Sequence, residues 1–178
     1  MSSRNDSLRT RETREALLEQ LDHLRDEVDA LRRHVAVIPT EILEGRPLPD
    51  DPSFKEIYSL LALFDERVYE PAVSRLSGTE VVQVDMPEDR DLLAEEQWNQ
   101  RDMDRIVERV RSARAGLVER LASLSFDAWH LELKVDGDKT DVFGLAYAIV
   151  QHDVALLRSA AYRLHESRLT SREEDLPK

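Results

Sequence analysis

The chain of 178 residues contains no cysteine. Disulfides, thiolate zinc sites and cysteine nucleophiles are therefore excluded. Glycine is scarce. The five glycines stand at 45, 78, 116, 137 and 144, and they form neither a phosphate loop nor a dinucleotide fingerprint. No serine sits in a Gly-x-Ser-x-Gly elbow. No Glu-x-x-His pair occurs, so the di-iron carboxylate pattern of ferritin-like bundles is missing. No apolar run approaches the ~18 residues of a membrane span. Residues 1–10 are polar and lack an apolar signal-peptide core, so the expected compartment is the cytoplasm. Positive charge is also short, with 25 Lys and Arg against 37 Asp and Glu and a net charge of −12. Such a balance argues against a sequence-independent nucleic-acid binder and against docking on an anionic membrane.

Helical periodicity is abundant. Leu17, Leu21, Leu24, Val28, Leu31 and Val35 recur at alternating spacings of four and three, an apolar stripe on one face of a helix. The spacing predicts a first helix over about 8–37, ended by Pro39. Thr40 to Gly45 reads as a short turn, and Pro47, Pro49 and Pro52 stiffen the connection that follows. Ser53 and Glu56 have capping-box spacing and open a second helix through Ile57, Leu61, Phe64 and Val68. Pro71 should kink or end that helix near Glu70. In the stretch 77–99, Val81 to Met86 reads as a short strand and Leu92 to Trp98 as a short helix. A third helix is predicted over about 101–124, with Gly116 a place for a second helix to approach closely. Residues 130–135 lead into Asp136-Gly137, a dipeptide that favours a tight hairpin turn. A fourth helix, capped by Thr140 or Asp141, should run to about 167.

Four helices of similar length, each apolar on one face, require one another to bury those faces. The expected fold is an all-α, antiparallel four-helix bundle over residues 11–167, with a small β-hairpin in a loop. Residues 1–10 would form a disordered arm and 168–178 a flexible tail.

Most carboxylates fall on outer faces and read as solvated. His23 and His165 also point outward. His34 is placed to interact with the end of the first helix, and His130 to pack beside Trp129. His152 and Asp153 differ. They lie mid-way along the fourth helix among Leu145, Ile149 and Leu156, where an unpaired charge would be expensive. One reading pairs Asp153 with an arginine or tyrosine of a facing helix, with Arg111, Arg114 and Tyr58 as candidates, while His152 supplies a hydrogen bond. The other makes Tyr58, His152 and Asp153 the lining of a ligand or metal pocket.

Three segments taken together resemble the DinB-like, or YfiT-like, family of bacterial four-helix bundles. They are the opening LLEQLDHLRDEVDALRRHV, the proline-punctuated link into SFKEIYSLLALFDERVYEPAV, and the last helix DVFGLAYAIVQHDVALLRSAAYRL. The resemblance covers about residues 11–166. It implies a bundle in which three histidines hold a divalent metal, one from the second helix and two from the fourth spaced four apart. His152 matches the first of that pair. Leu156 stands where the second should be, and Leu60 falls at the second-helix position. His152 is thus the sole retained ligand of that type, and no metal is expected. The resemblance then implies a non-catalytic protein that binds a small molecule or a partner, or pairs as a homodimer. One alternative is a zinc- or nickel-dependent thiol S-transferase with a rearranged site using His152, Asp153 and Asp65. Another is a purely structural homodimer.

Overall fold

The computed structural model describes residues 9–76, 80–94 and 96–174, with side chains as far as His165. The architecture is mainly helical, with a small three-stranded sheet. Helix α1 spans Arg11–Val35. Thr10 caps it, accepting a hydrogen bond from the Thr13 backbone N–H at 3.1 Å. Of its predicted stripe, Leu17, Leu21, Leu24, Val28 and Val35 are buried. A short helix α2 (Thr40–Glu44) occupies the predicted turn.

Helix α3 (Phe54–Phe64) begins at Ser53 with both halves of the expected capping box formed. All eleven of its residues are buried, which corrects the one-faced reading. The connections supply the difference, because α2, α5 (Asp89–Leu93) and the 3₁₀ turn at Trp98–Gln100 pack on the side that sequence periodicity left to solvent. Pro71 does not end the helical run. The chain passes through a π-helical turn (Asp65–Tyr69) into α4 (Glu70–Ser74). Proline lacks an N–H, and its ring crowds the carbonyl four residues earlier. The wider turn relieves that conflict, with the Glu70 N–H donating to the Asp65 carbonyl.

The predicted strand is β1 (Val82–Val84). The expected helix at 92–98 lies earlier, as α5, and Trp98 instead opens the 3₁₀ turn. The hairpin forms as β2 (Glu132–Val135) and β3 (Asp138–Asp141), and β1 joins β2 in parallel. At the turn Asp136 has φ 50° and Gly137 φ 88°, the two positive values that a tight type I′ connection demands. Asp136 also ties the sheet together, since its Oδ1 accepts from the Met86 N–H at 2.8 Å.

Helix α6 spans Met103–Ser123. A side chain at Gly116 would meet nothing within 4 Å, so Gly116 is not a point of close helix approach. Helix α7 (Val142–Glu174) starts at Asp141, whose Oδ1 accepts from the Gly144 N–H at 2.9 Å. Its backbone continues as helix to Glu174, into the segment expected to be a flexible tail. The first eight residues of the expected arm and the last four of the tail lie outside the described residues. Helices α1, α3, α6 and α7 pack on one another: α1 on α6 and α7, and α3 on the same two. Among the described residues no helix is long and apolar enough to cross a membrane.

Candidate functional site

Arg114 is fully buried in the middle of α6. A guanidinium carries five N–H donors, and here five hydrogen bonds leave it. Nε and Nη2 reach the two Asp65 oxygens at 2.7 and 3.1 Å. Nη1 and Nη2 reach the two Asp153 oxygens at 2.6 and 2.9 Å. Nη1 also donates to the Leu21 carbonyl at 3.3 Å. One side chain thus joins α1, the π turn after α3, α6 and α7. A buried charge so completely hydrogen-bonded escapes much of the cost of desolvation.

The cluster carries two carboxylates against one cation. Burial pushes the Asp65 carboxyl up to about 6, with Arg114 opposing that rise. Burial also works against the charge of Arg114, but Asp65 and Asp153 outweigh it and hold the guanidinium more firmly protonated than usual.

His152 stands beside the cluster, half-buried. Its Nδ1 lies 2.9 Å from the Tyr69 hydroxyl, and its ring meets Phe64 edge-on at 4.3 Å between centroids. Burial lowers the His152 pKa, against the pull of Asp153 and Asp89. Burial likewise raises that of Tyr69. The contact is therefore between a neutral imidazole and a neutral phenol. In the Nε2–H tautomer, the phenol donates to Nδ1.

Of the three partners that sequence reasoning offers Asp153, the structure places Arg114 against it, and His152 makes a hydrogen bond of the kind one of the two readings gave it. Sequence reasoning misplaces two residues. Arg111 turns outward to Asp29 and Glu108. Tyr58 is buried against Phe54, with ring centroids 4.8 Å apart. The tyrosine at His152 is Tyr69, and the π turn places it there beside Asp65. Only Pro71 hints at this arrangement, through the helical irregularity it imposes.

Comparison of the chain with protein-family models, with curated proteins and with solved structures gives no match. Its chemistry has to be read from its own residues.

The divalent metal implied by the DinB-like resemblance does not fit this site. Leu60 is fully buried and Leu156 nearly so, both among apolar neighbours, and neither offers a ligand atom. Asp65 and Asp153 do offer oxygens, but Arg114 engages all four. Among the described residues no three His, Asp or Glu side chains gather to hold an ion.

Two open clefts lie elsewhere. One open cleft of ≈ 510 Å³ runs between the 46–52 connection and the 89–100 segment. Five carboxylates line it against two guanidiniums. Asp89, at its edge, is within electrostatic reach of His152. A second cleft, of ≈ 470 Å³, lies between the end of α1 and the start of α6. Neither cleft is lined by Arg114, Asp65 or Asp153.

Proposed function

We propose that this chain is a divergent DinB-like protein. Its four long helices would form an antiparallel bundle, and it would bind a small molecule without catalysing metal-dependent chemistry. The observation that carries this reading is the Arg114 guanidinium seated between Asp65 and Asp153. A fixed organic cation holds the carboxylates that a rearranged transferase site would need. It supplies neither an open coordination position nor a Lewis acid to lower a thiol pKa. The family reading rests on the leucine-rich first helix, the proline-punctuated link into α3 and the last helix, in that order.

The ≈ 510 Å³ cleft has the size of a small-molecule site. Asp50 and Asp89 line it and make no ion pair among the described residues, so it suits a ligand bearing positive charge. The test uses untagged protein titrated with zinc or nickel in a calorimeter, beside a thermal-shift screen of small amines and small carboxylic acids. The reading expects no chelator-sensitive heat and selective stabilisation by amines, reduced by Asp89→Asn. Stoichiometric metal binding that His152→Ala abolishes would replace it with the transferase reading.

A further inference from the structure

Five buried side-chain nitrogens have no hydrogen-bond partner among the described residues. Four are arginine Nε atoms, and each of those guanidiniums donates elsewhere through a terminal nitrogen. The fifth is the indole Nε1 of Trp98, the one polar atom of that side chain. Trp129 shows the ordinary arrangement, its Nε1 donating to the Leu121 carbonyl at 3.3 Å. Trp98 is 2% exposed. A buried donor with no acceptor is costly, and its surroundings have to account for it.

Trp98 walls an open notch of ≈ 50 Å³ together with Arg101, Arg105, Ile106 and Arg109. Every polar side chain on that wall is a donor, one indole and three guanidiniums. Glu96 holds Arg101 at 3.0 Å and Arg109 at 2.9 Å, and Glu66 holds Arg109 at 2.8 Å. Neither glutamate lines the notch. They fix two guanidiniums in place without using all the N–H groups that each carries. Arg105 is exposed, and its side chain makes no hydrogen bond or ion pair among the described residues. A water in the notch would meet donors and find no side-chain acceptor for its own protons. An oxyanion accepts at every oxygen and brings the charge that Arg105 lacks. A water needs ~10–15 Å³ of such space, so the notch has room for one phosphate group. Trp98 also borders the ≈ 510 Å³ cleft, where five carboxylates offer acceptors. None of them takes the indole proton, and their charge would turn an anion away.

We propose that this notch is a phosphate site, in which the Trp98 indole N–H and the Arg105 guanidinium donate to the bound group while Glu96 keeps Arg101 and Arg109 turned beside it. The notch takes the phosphate alone, so any organic part of the ligand stays in solvent. Open to water and shared between screened charges, the site should bind inorganic phosphate with a dissociation constant on the order of millimolar.

The test follows the indole signals of the two tryptophans in a proton–nitrogen correlation spectrum of the full chain. Inorganic phosphate is added from about 0.1 to 30 mM at constant ionic strength. The Trp98 signal should move downfield and saturate as its N–H gains an acceptor, while the Trp129 signal stays in place. Arg105→Gln, at an exposed position that the fold does not need, should weaken binding roughly tenfold. Methyl phosphate separates the sources. Binding equal to that of inorganic phosphate assigns the head of a phosphate monoester, exclusion assigns the free ion, and either upholds the site. A Trp98 signal that does not saturate, an equal shift with chloride or acetate, or a titration indifferent to Arg105→Gln would each overturn the proposal. Asp89→Asn should leave phosphate binding unchanged, so the amine reading of the ≈ 510 Å³ cleft stands or falls separately.

Discussion

Two arginines on α6, five residues apart, each hold a pair of carboxylates. Arg114 grips Asp65 and Asp153 with no solvent exposure of its side chain. Arg109 grips Glu66 and Glu96 at 2.8 and 2.9 Å and lies 4.9 Å from the Trp98 ring centroid, with 31% of its side chain exposed. The acids they use are even neighbours in sequence: Asp65 is fully buried, and Glu66 keeps 32% of its side chain exposed. Composition and partners are nearly matched, so the contrast isolates burial. At Arg109 water screens the charges and can replace either partner, and pairs of this kind contribute little. At Arg114 no water replaces a lost partner. Removing one member there strands the charge of the others in a medium that solvates it poorly.

Four measurements break or sharpen that contrast, from the largest effect to the smallest. Arg114→Leu leaves two buried carboxylates without their cation and should cost about 3–5 kcal/mol in denaturant unfolding. The triple change Asp65→Leu, Arg114→Met and Asp153→Leu removes all three charges and should recover most of that loss. A triple variant as damaged as the single one would show that shape, not charge, holds the cluster together.

Leu121→Ala, at a fully buried position of the same helix, should cost about 2–5 kcal/mol by opening a cavity. His165→Ala, exposed on α7, should stay within about 0.5 kcal/mol. Similar unfolding midpoints for the two would mean that the helix faces are misassigned.

The third measurement is a pH profile. Asp65 titrates near 6 in the fold against an ordinary 3.8, so the fold favours its protonated form. Its contribution to stability is complete below about pH 4 and is lost as pH rises through about 6. His152 runs the other way. Its pKa is lowered, so its contribution is complete above the ordinary histidine value and is lost as pH falls through the depressed one. Asparagine mimics the neutral Asp65. The stability of the native sequence minus that of Asp65→Asn should therefore fall by on the order of 2 kcal/mol between pH 4 and 7. A flat difference across that window would refute the assignment.

Arg109→Ala should cost about 1 kcal/mol or less, and the loss should shrink further in high salt. A cost equal to that of Arg114→Leu would erase the distinction between the two clusters.

Much of the framework is legible in residue spacing. The α1 stripe, the Ser53 capping box, the Asp136-Gly137 hairpin turn and the start of α7 at Asp141 follow from rules that act within a few residues. So does the suspicion attached to Asp153, since a carboxylate on an apolar helix face needs a partner wherever that partner comes from. Arg114 was one of several candidates for that role. Spacing already separates it from Arg111, because Arg114 falls on the α6 stripe of Val107, Val110, Leu117 and Leu121 and Arg111 falls beside it, but an arginine on an apolar stripe reads as inward only once an acid from another helix is there to meet it.

The tertiary structure alone decided the rest. Burial of α3 on every side depends on α2, α5 and the Trp98 turn folding back over it, contacts between segments tens of residues apart. The inward turn of Asp65 and Tyr69 depends on the π turn, a compromise between the preference of Pro71 and the apolar residues on both sides of it. Parallel addition of β1 to the hairpin joins residues 82–84 to 133–135. Local propensity acts through the backbone of adjacent residues and is written in the sequence. The partner of a buried charge is set by which distant segment reaches it in the folded chain, and here that choice turned three ionisable side chains into the centre of the core.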